Sequence, residues 1–78
     1  MTQITWTKCS ERMPHKGKQV IVRDGHRRTD LETSDRLIEY KDFLCRMYGT
    51  NDRFNSELWE WTPYTPEAWE ELNKYARD

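Results

Sequence analysis

Long apolar runs are missing from this sequence. None exceeds three residues, as in Val20-Ile21-Val22, far short of the ~20 residues that a helix needs to cross a bilayer, so no membrane contact is expected. The N-terminus, MTQITWTKCSERM, also lacks the basic start and apolar stretch of a secretory leader. A soluble protein acting in the cytoplasm is the expectation. Glycine is scarce: Gly17, Gly25 and Gly49 are the three present, and they form none of the clustered patterns whose backbone N–H groups cradle phosphates. Cysteine is scarce too. Cys9 and Cys45 make no C-x-x-C pair and read as small buried hydrophobes in a reducing compartment, not as a disulfide.

Aliphatic residues are equally thin on the chain. Hydrophobic residues make up 35% and charged residues 35%, against roughly 45–50% (a count that includes glycine) and about 25% in ordinary globular domains. What is abundant instead is aromatic: four Trp, four Tyr and two Phe among 78 residues. The core is therefore expected to be built from rings. Thirteen basic and fourteen acidic residues nearly cancel, unlike the large charge imbalance of a disordered chain. A chain of this length holds a single domain over residues 1–78, of marginal stability, for which self-association as a homodimer would be a natural support.

The balance of charge conceals an asymmetry. Residues 1–28 carry seven basic and two acidic groups, whereas residues 29–78 carry six basic and twelve acidic groups. An electrostatic partner would be selected by one face of the molecule and not by the whole.

Local patterns give a coarse α+β outline, a short antiparallel sheet with a C-terminal helix and a helix in the middle. Ser10 to Pro14 reads as a turn. Gln19 to Arg23 reads as a strand covered on both faces, ending at Asp24-Gly25, a pair that favours a type I′ hairpin turn. Thr29 to Ser34 is polar, a loop or a weak edge strand. Leu37, Tyr40, Leu44 and Met47 then recur at helical spacing, with Ser34 placed to cap and Gly49 to terminate, predicting a helix over 35–48. A competing reading divides that stretch into strands at Leu37–Tyr40 and Phe43–Tyr48. Residues 49–56 have loop chemistry, Leu58 to Thr62 suits a short strand ended by Pro63, and Thr65-Pro66-Glu67 opens a helix to about Tyr75. Trp6, Val20, Val22 and Trp61 are the expected core.

Two segments carry a family resemblance. Trp6, Glu11-Arg12-Met13-Pro14, Gly17 and Val20-Ile21-Val22 resemble, in spacing, the opening of the short phage and prophage proteins grouped as domain of unknown function 551, with Met13 standing for the usual leucine. Trp61-Thr62-Pro63-Tyr64 resembles the family's C-terminal Trp-Met-Pro-Leu-Pro, although Thr65 intervenes before Pro66. The resemblance implies a bacteriophage setting, hence a bacterial host cell, and implies no activity. As physical chemistry, the same residues read as fold residues: amphipathic rings, turn-fixing prolines and a permissive glycine.

Three constellations are candidates for function. Cys9, His15, His26 and Cys45 are zinc-ligand types, but their spacing lacks the close pairs of structural zinc sites; no metal or cofactor is expected, and with nothing to orient a Cys–His nucleophile the chain does not read as an enzyme. Lys16, Lys18, Arg23, Arg27 and Arg28 form a basic cluster around the hairpin, and Lys18, Arg23, Arg27 and Arg28 are the candidate nucleic-acid contacts. The preferred reading lies in the acidic half, where Glu57, Glu60, Glu67, Glu70 and Glu71 alternate with Trp59, Trp61, Tyr64, Trp69 and Tyr75. Glu60, Tyr64, Glu67, Glu70 and Glu71 are the candidate contacts for a host or phage protein, with inhibition of that partner as one form of the interaction.

Overall fold

In the computed structural model, residues 4–26, 28–52, 54 and 59–76 are described, with Tyr75 and Ala76 by backbone alone. The elements run β1 (Thr7–Lys8), β2 (Gln19–Arg23), β3 (Thr29–Thr33), α1 (Ser34–Tyr48), β4 (Glu60–Pro63) and α2 (Pro66–Ala76). The strands form one sheet in the order β1-β4-β2-β3, antiparallel at every pairing. This is a small α+β domain, and β4, late in sequence, is inserted between β1 and β2.

Val20, Ile21 and Val22 are all buried, as a strand covered on both faces requires. Side chains alternate across a sheet, so Val20 and Val22 share one face with Trp61, the partner of Val22. That face holds the core of Cys9, Val20, Val22, Leu37, Leu44, Phe54 and Trp61, with Met13 and Trp59 packed against it. Ile21 and its partner Thr62 lie on the opposite face and are buried as well. Among the described elements, α2 and the segment entering β1 remain to cover them, and Ala68 of α2 is buried.

Residues 34–48 form one helix, so the two-strand alternative does not apply. Gly49 ends it at φ 71°, its N–H returning to Cys45 O; this left-handed position is one where a Cβ is strained. The capping residue differs from expectation. Thr33 is the N-cap, its Oγ1 accepting the Arg36 N–H at 3.3 Å, while Ser34 is wholly buried and its Oγ accepts the Lys18 N–H at 3.0 Å. Ser34 thus ties the start of α1 to the start of β2. At α2 the expected cap holds: Thr65 Oγ1 accepts the Ala68 N–H at 3.1 Å.

The hairpin departs from a two-residue turn. Asp24 donates its N–H to Arg28 O at 3.2 Å, adding a rung beyond Arg23↔Thr29, so Asp24 belongs to the ladder and not to the turn. The Asp24 carboxylate holds the turn by accepting the His26 and Arg28 N–H groups at 2.8 and 3.0 Å, an arrangement to which aspartate is suited. The polar stretch before Ser34 is a true edge strand.

Trp6 is also a correction. It is half-buried and lies under the Arg23 guanidinium, 4.3 Å from Cζ to the ring centroid, whereas Val20, Val22 and Trp61 are core as expected.

Candidate functional site

The predicted basic and acidic sets meet at one pair, Arg23 and Glu60. Arg23 and Glu60 are direct partners in the β2–β4 register, and Arg23 Nη2 donates to Glu60 Oε1 at 2.8 Å, with Nε 3.2 Å from the same oxygen. Each is therefore the other's counter-ion, and the Arg23 guanidinium also lies over Trp6. Lys18 and Arg28 are exposed but sit at opposite ends of the β2–β3 hairpin, roughly 20 Å apart by strand rise. Arg27 lies outside the described residues. Lys18 is thus set apart from Arg23 and Arg28, which lie at the same end of the hairpin.

The acidic set is divided as well. Glu67 and Glu70 are exposed and Glu71 is half-buried on α2; Tyr64 is half-buried, its N–H donating to Gln19 O at 3.1 Å. Trp61 is in the core and Trp69 is half-buried. Glu57 lies outside the described residues, as does the side chain of Tyr75.

Aromatic and acidic groups do converge elsewhere. Between β3 and α1, on the Val22 side of the sheet, lies a cleft of about 250 Å³ lined by Val22, Asp30, Glu32, Arg36, Leu37, Tyr40 and Trp59. Its wall is a ring cluster: Phe54 stacks on Trp59 at 5.2 Å, Tyr40 lies 5.5 Å from Trp59, and Tyr40 meets Phe54 edge-on at 5.9 Å. Phe54 is fully buried behind the other two, which sets their orientation. Asp30 and Glu32 come from alternate positions of β3 and so share this face. Arg36 is the one cation among the lining residues; its Nε is 3.8 Å from Glu32 Oε2 and its side chain is 76% exposed, a loose surface pair of little energetic weight.

From the cleft an apolar flank runs along α1. Tyr40, Phe43 and Met47 are 38%, 50% and 62% exposed, adjacent at helical spacing and beside the buried Leu37 and Leu44. Met47, expected on the buried face, therefore belongs to the surface. The signal for this flank was present in the sequence: the apolar positions of α1 are more numerous than the buried stripe requires.

Among the described residues, no three His, Cys, Asp or Glu side chains are grouped so as to hold a metal ion. Both cysteines are free thiols, Cys9 in the core and Cys45 bonded through Sγ to Asn51 Oδ1. Burial pushes the Cys9 thiol up from 9.0 to about 11, the Lys41 charge opposing and Glu60 adding to the rise. A group whose folded pKa is raised contributes stability present below the unfolded value and lost as pH climbs through the folded one. Unfolding free energy is therefore expected to fall by about 2–3 kcal/mol between pH 9 and pH 11, and Cys9→Ser, followed by urea denaturation across that range, is expected to flatten the decline. An equally steep decline in Cys9→Ser would exclude Cys9 as its source.

The residues that carried the family resemblance are joined in space. The Trp61 indole N–H donates to Arg12 O at 2.7 Å, and the Arg12 guanidinium lies over the same ring at 5.8 Å. Pro14 is buried. Gly17 adopts φ 78° and donates its N–H to Asp35 Oδ1 at 3.1 Å. Trp61, Arg12 and Gly17 thus hold one segment of the fold to another. The class so defined is a small α+β domain whose sheet is locked by a tryptophan against an upstream turn. The chain belongs to the family described as protein of unknown function (DUF551), whose model matches residues 5–74; the match extends across the middle of the chain and α2, well beyond the two segments legible by eye. No curated protein and no solved structure matches it. Among the described residues, no helix is long and apolar enough to cross a membrane.

Proposed function

We propose that this protein is a non-enzymatic accessory protein of phage type, acting in the bacterial cytoplasm by binding a host or phage protein through an acidic and aromatic surface. The observation that supports this reading is the exposed Tyr40–Phe43–Met47 flank opening onto a cleft that carries Asp30 and Glu32. Exposed rings and methionine beside accessible carboxylates supply the anchors and the electrostatic selectivity of a protein interface. In this reading the contact surface lies on α1 and β3, with the carboxylates of α2 as a more distant steering field.

The test compares variants in capture from bacterial lysate, with folding of each checked by circular dichroism. Asp30→Lys with Phe43→Ser is expected to weaken capture of a partner by tenfold or more, about 1.4 kcal/mol or greater, while Glu70→Lys with Glu71→Lys has a smaller effect, through association rate. Capture that survives Asp30→Lys with Phe43→Ser, or tight and salt-sensitive nucleic-acid binding lost in Arg28→Glu, would overturn the reading.

A further inference from the structure

The outer edge of β3 has a defined hydrogen-bonding phase. Ser34 donates its N–H to Lys18 O at 2.8 Å and Asp24 donates to Arg28 O at 3.2 Å, extending the β2–β3 register at its two ends. In an antiparallel ladder, hydrogen-bonded pairs alternate with non-bonded pairs. Both end rungs are in phase with Val20↔Glu32 and Val22↔Asp30, so Asp30 and Glu32 are the residues whose backbones bond to β2. The N–H and C=O of Leu31 consequently point away from β2, on the outer side of a strand that, among the described residues, is last in the sheet order.

The side chains alternate in the other sense. Asp30 and Glu32 rise on the cleft face, whereas Leu31, 37% exposed, belongs to the face of its partner Ile21. A strand laid along this edge would take its backbone bonds from Leu31 and would present every second side chain to Asp30 and Glu32. We infer that the β3 edge receives an extended segment of the partner protein carrying Lys or Arg at alternate positions, one of which enters the cleft against Tyr40 and Trp59. This rests on the protein-binding reading above and specifies the chemistry of what is bound.

Charge decides between occupants. A second copy pairing antiparallel through β3 would set Asp30 and Glu32 against their own counterparts, and like charges directly opposite one another destabilise a ladder. A basic strand converts the same positions into ion pairs, and a Lys or Arg reaching the rings gains a cation–π contact as it leaves water. The loose Arg36–Glu32 pair, at 3.8 Å, is readily exchanged for a better one.

A short blocked peptide alternating threonine and lysine is the probe, titrated into the full chain and followed by amide NMR and hydrogen exchange. Shifts are expected at residues 29–33 and in the Trp59 indole, with exchange of the Leu31 amide slowed by about tenfold or more at saturation. A threonine–glutamate peptide is expected to leave the spectrum unchanged. Leu31→Pro removes only an outward N–H, which edge strands tolerate, and is expected to abolish binding in a folded protein. Asp30→Asn with Glu32→Gln, which leaves the backbone unaltered, is expected to weaken binding by tenfold or more and decides the matter should Leu31→Pro fail to fold. Absence of shifts in β3, as expected if its carboxylates serve only to prevent edge-to-edge aggregation, would overturn the inference. So would shifts confined to Glu67, Glu70 and Glu71, or full binding by folded Leu31→Pro. Failure of the protein-binding reading itself would appear separately, as unchanged lysate capture by Asp30→Lys with Phe43→Ser.

Discussion

Trp61→Ala is expected to lower the free energy of unfolding by about 3–5 kcal/mol. For a chain of 78 residues, total stability is of order 4–12 kcal/mol, so the variant is expected to be largely unfolded near physiological temperature. Two separate losses combine. Trp61 is 7% exposed and lies in the main core cluster, and its indole N–H makes the 2.7 Å bond to Arg12 O that joins β4 to the turn before β2. Trp61→Phe separates these effects: it keeps a ring but removes the donor, and is expected to cost about 1–2 kcal/mol. Trp6→Ala is expected to cost less than Trp61→Ala, because Trp6 is only half-buried. Urea denaturation monitored by far-UV circular dichroism ranks the three, and a wild-type midpoint for Trp61→Ala would refute the assignment of Trp61 as the lock of the sheet.

The second large effect is expected at Phe54. Its side chain has no exposed surface and it contacts both Trp59 and Tyr40, so Phe54→Ala would leave a cavity beneath the cleft and cost about 3–5 kcal/mol. Phe54→Leu refills much of that volume and is expected to cost little more than 1 kcal/mol. It does not replace the stacked ring, so Trp59 would lose its fixed orientation and its fluorescence would shift to longer wavelength. Partner binding is then expected to weaken in a protein that remains folded. Unchanged Trp59 emission in Phe54→Leu would separate Phe54 from the cleft and leave it as packing alone.

These two residues differ in how visible they are before folding. Trp61 stands in a recognisable Trp-x-Pro segment, and the presence of an aromatic core follows from the scarcity of aliphatics. Phe54 sits in a stretch rich in Gly, Asn, Asp and Ser, whose composition indicates a loop, yet Asp52 and Phe54 are helical; the burial of Phe54 depends on what that stretch is folded against. Arg23 and Glu60 show the same limit from the side of charge. Each looked like the edge of a separate electrostatic surface, and the two neutralise one another because β4 enters the sheet next to β2.

What the sequence alone determined is local. The Val20–Val22 run made a strand buried on both faces, the spacing of Leu37, Tyr40 and Leu44 with Gly49 made a helix that ends where the left-handed residue stands, and Thr65-Pro66-Glu67 started the last helix. These features are governed by side-chain periodicity and by hydrogen bonds between residues a few positions apart. Only the tertiary structure decided the strand order, the pairing of Arg23 with Glu60, the use of Ser34 as a buried tie to Lys18, and the meeting of Asp30 and Glu32 with Tyr40 and Trp59 in one cleft. Contacts of that kind join residues far apart in the chain, and their partners are chosen by which faces must be covered and which edges remain free, information that no local stretch of sequence contains.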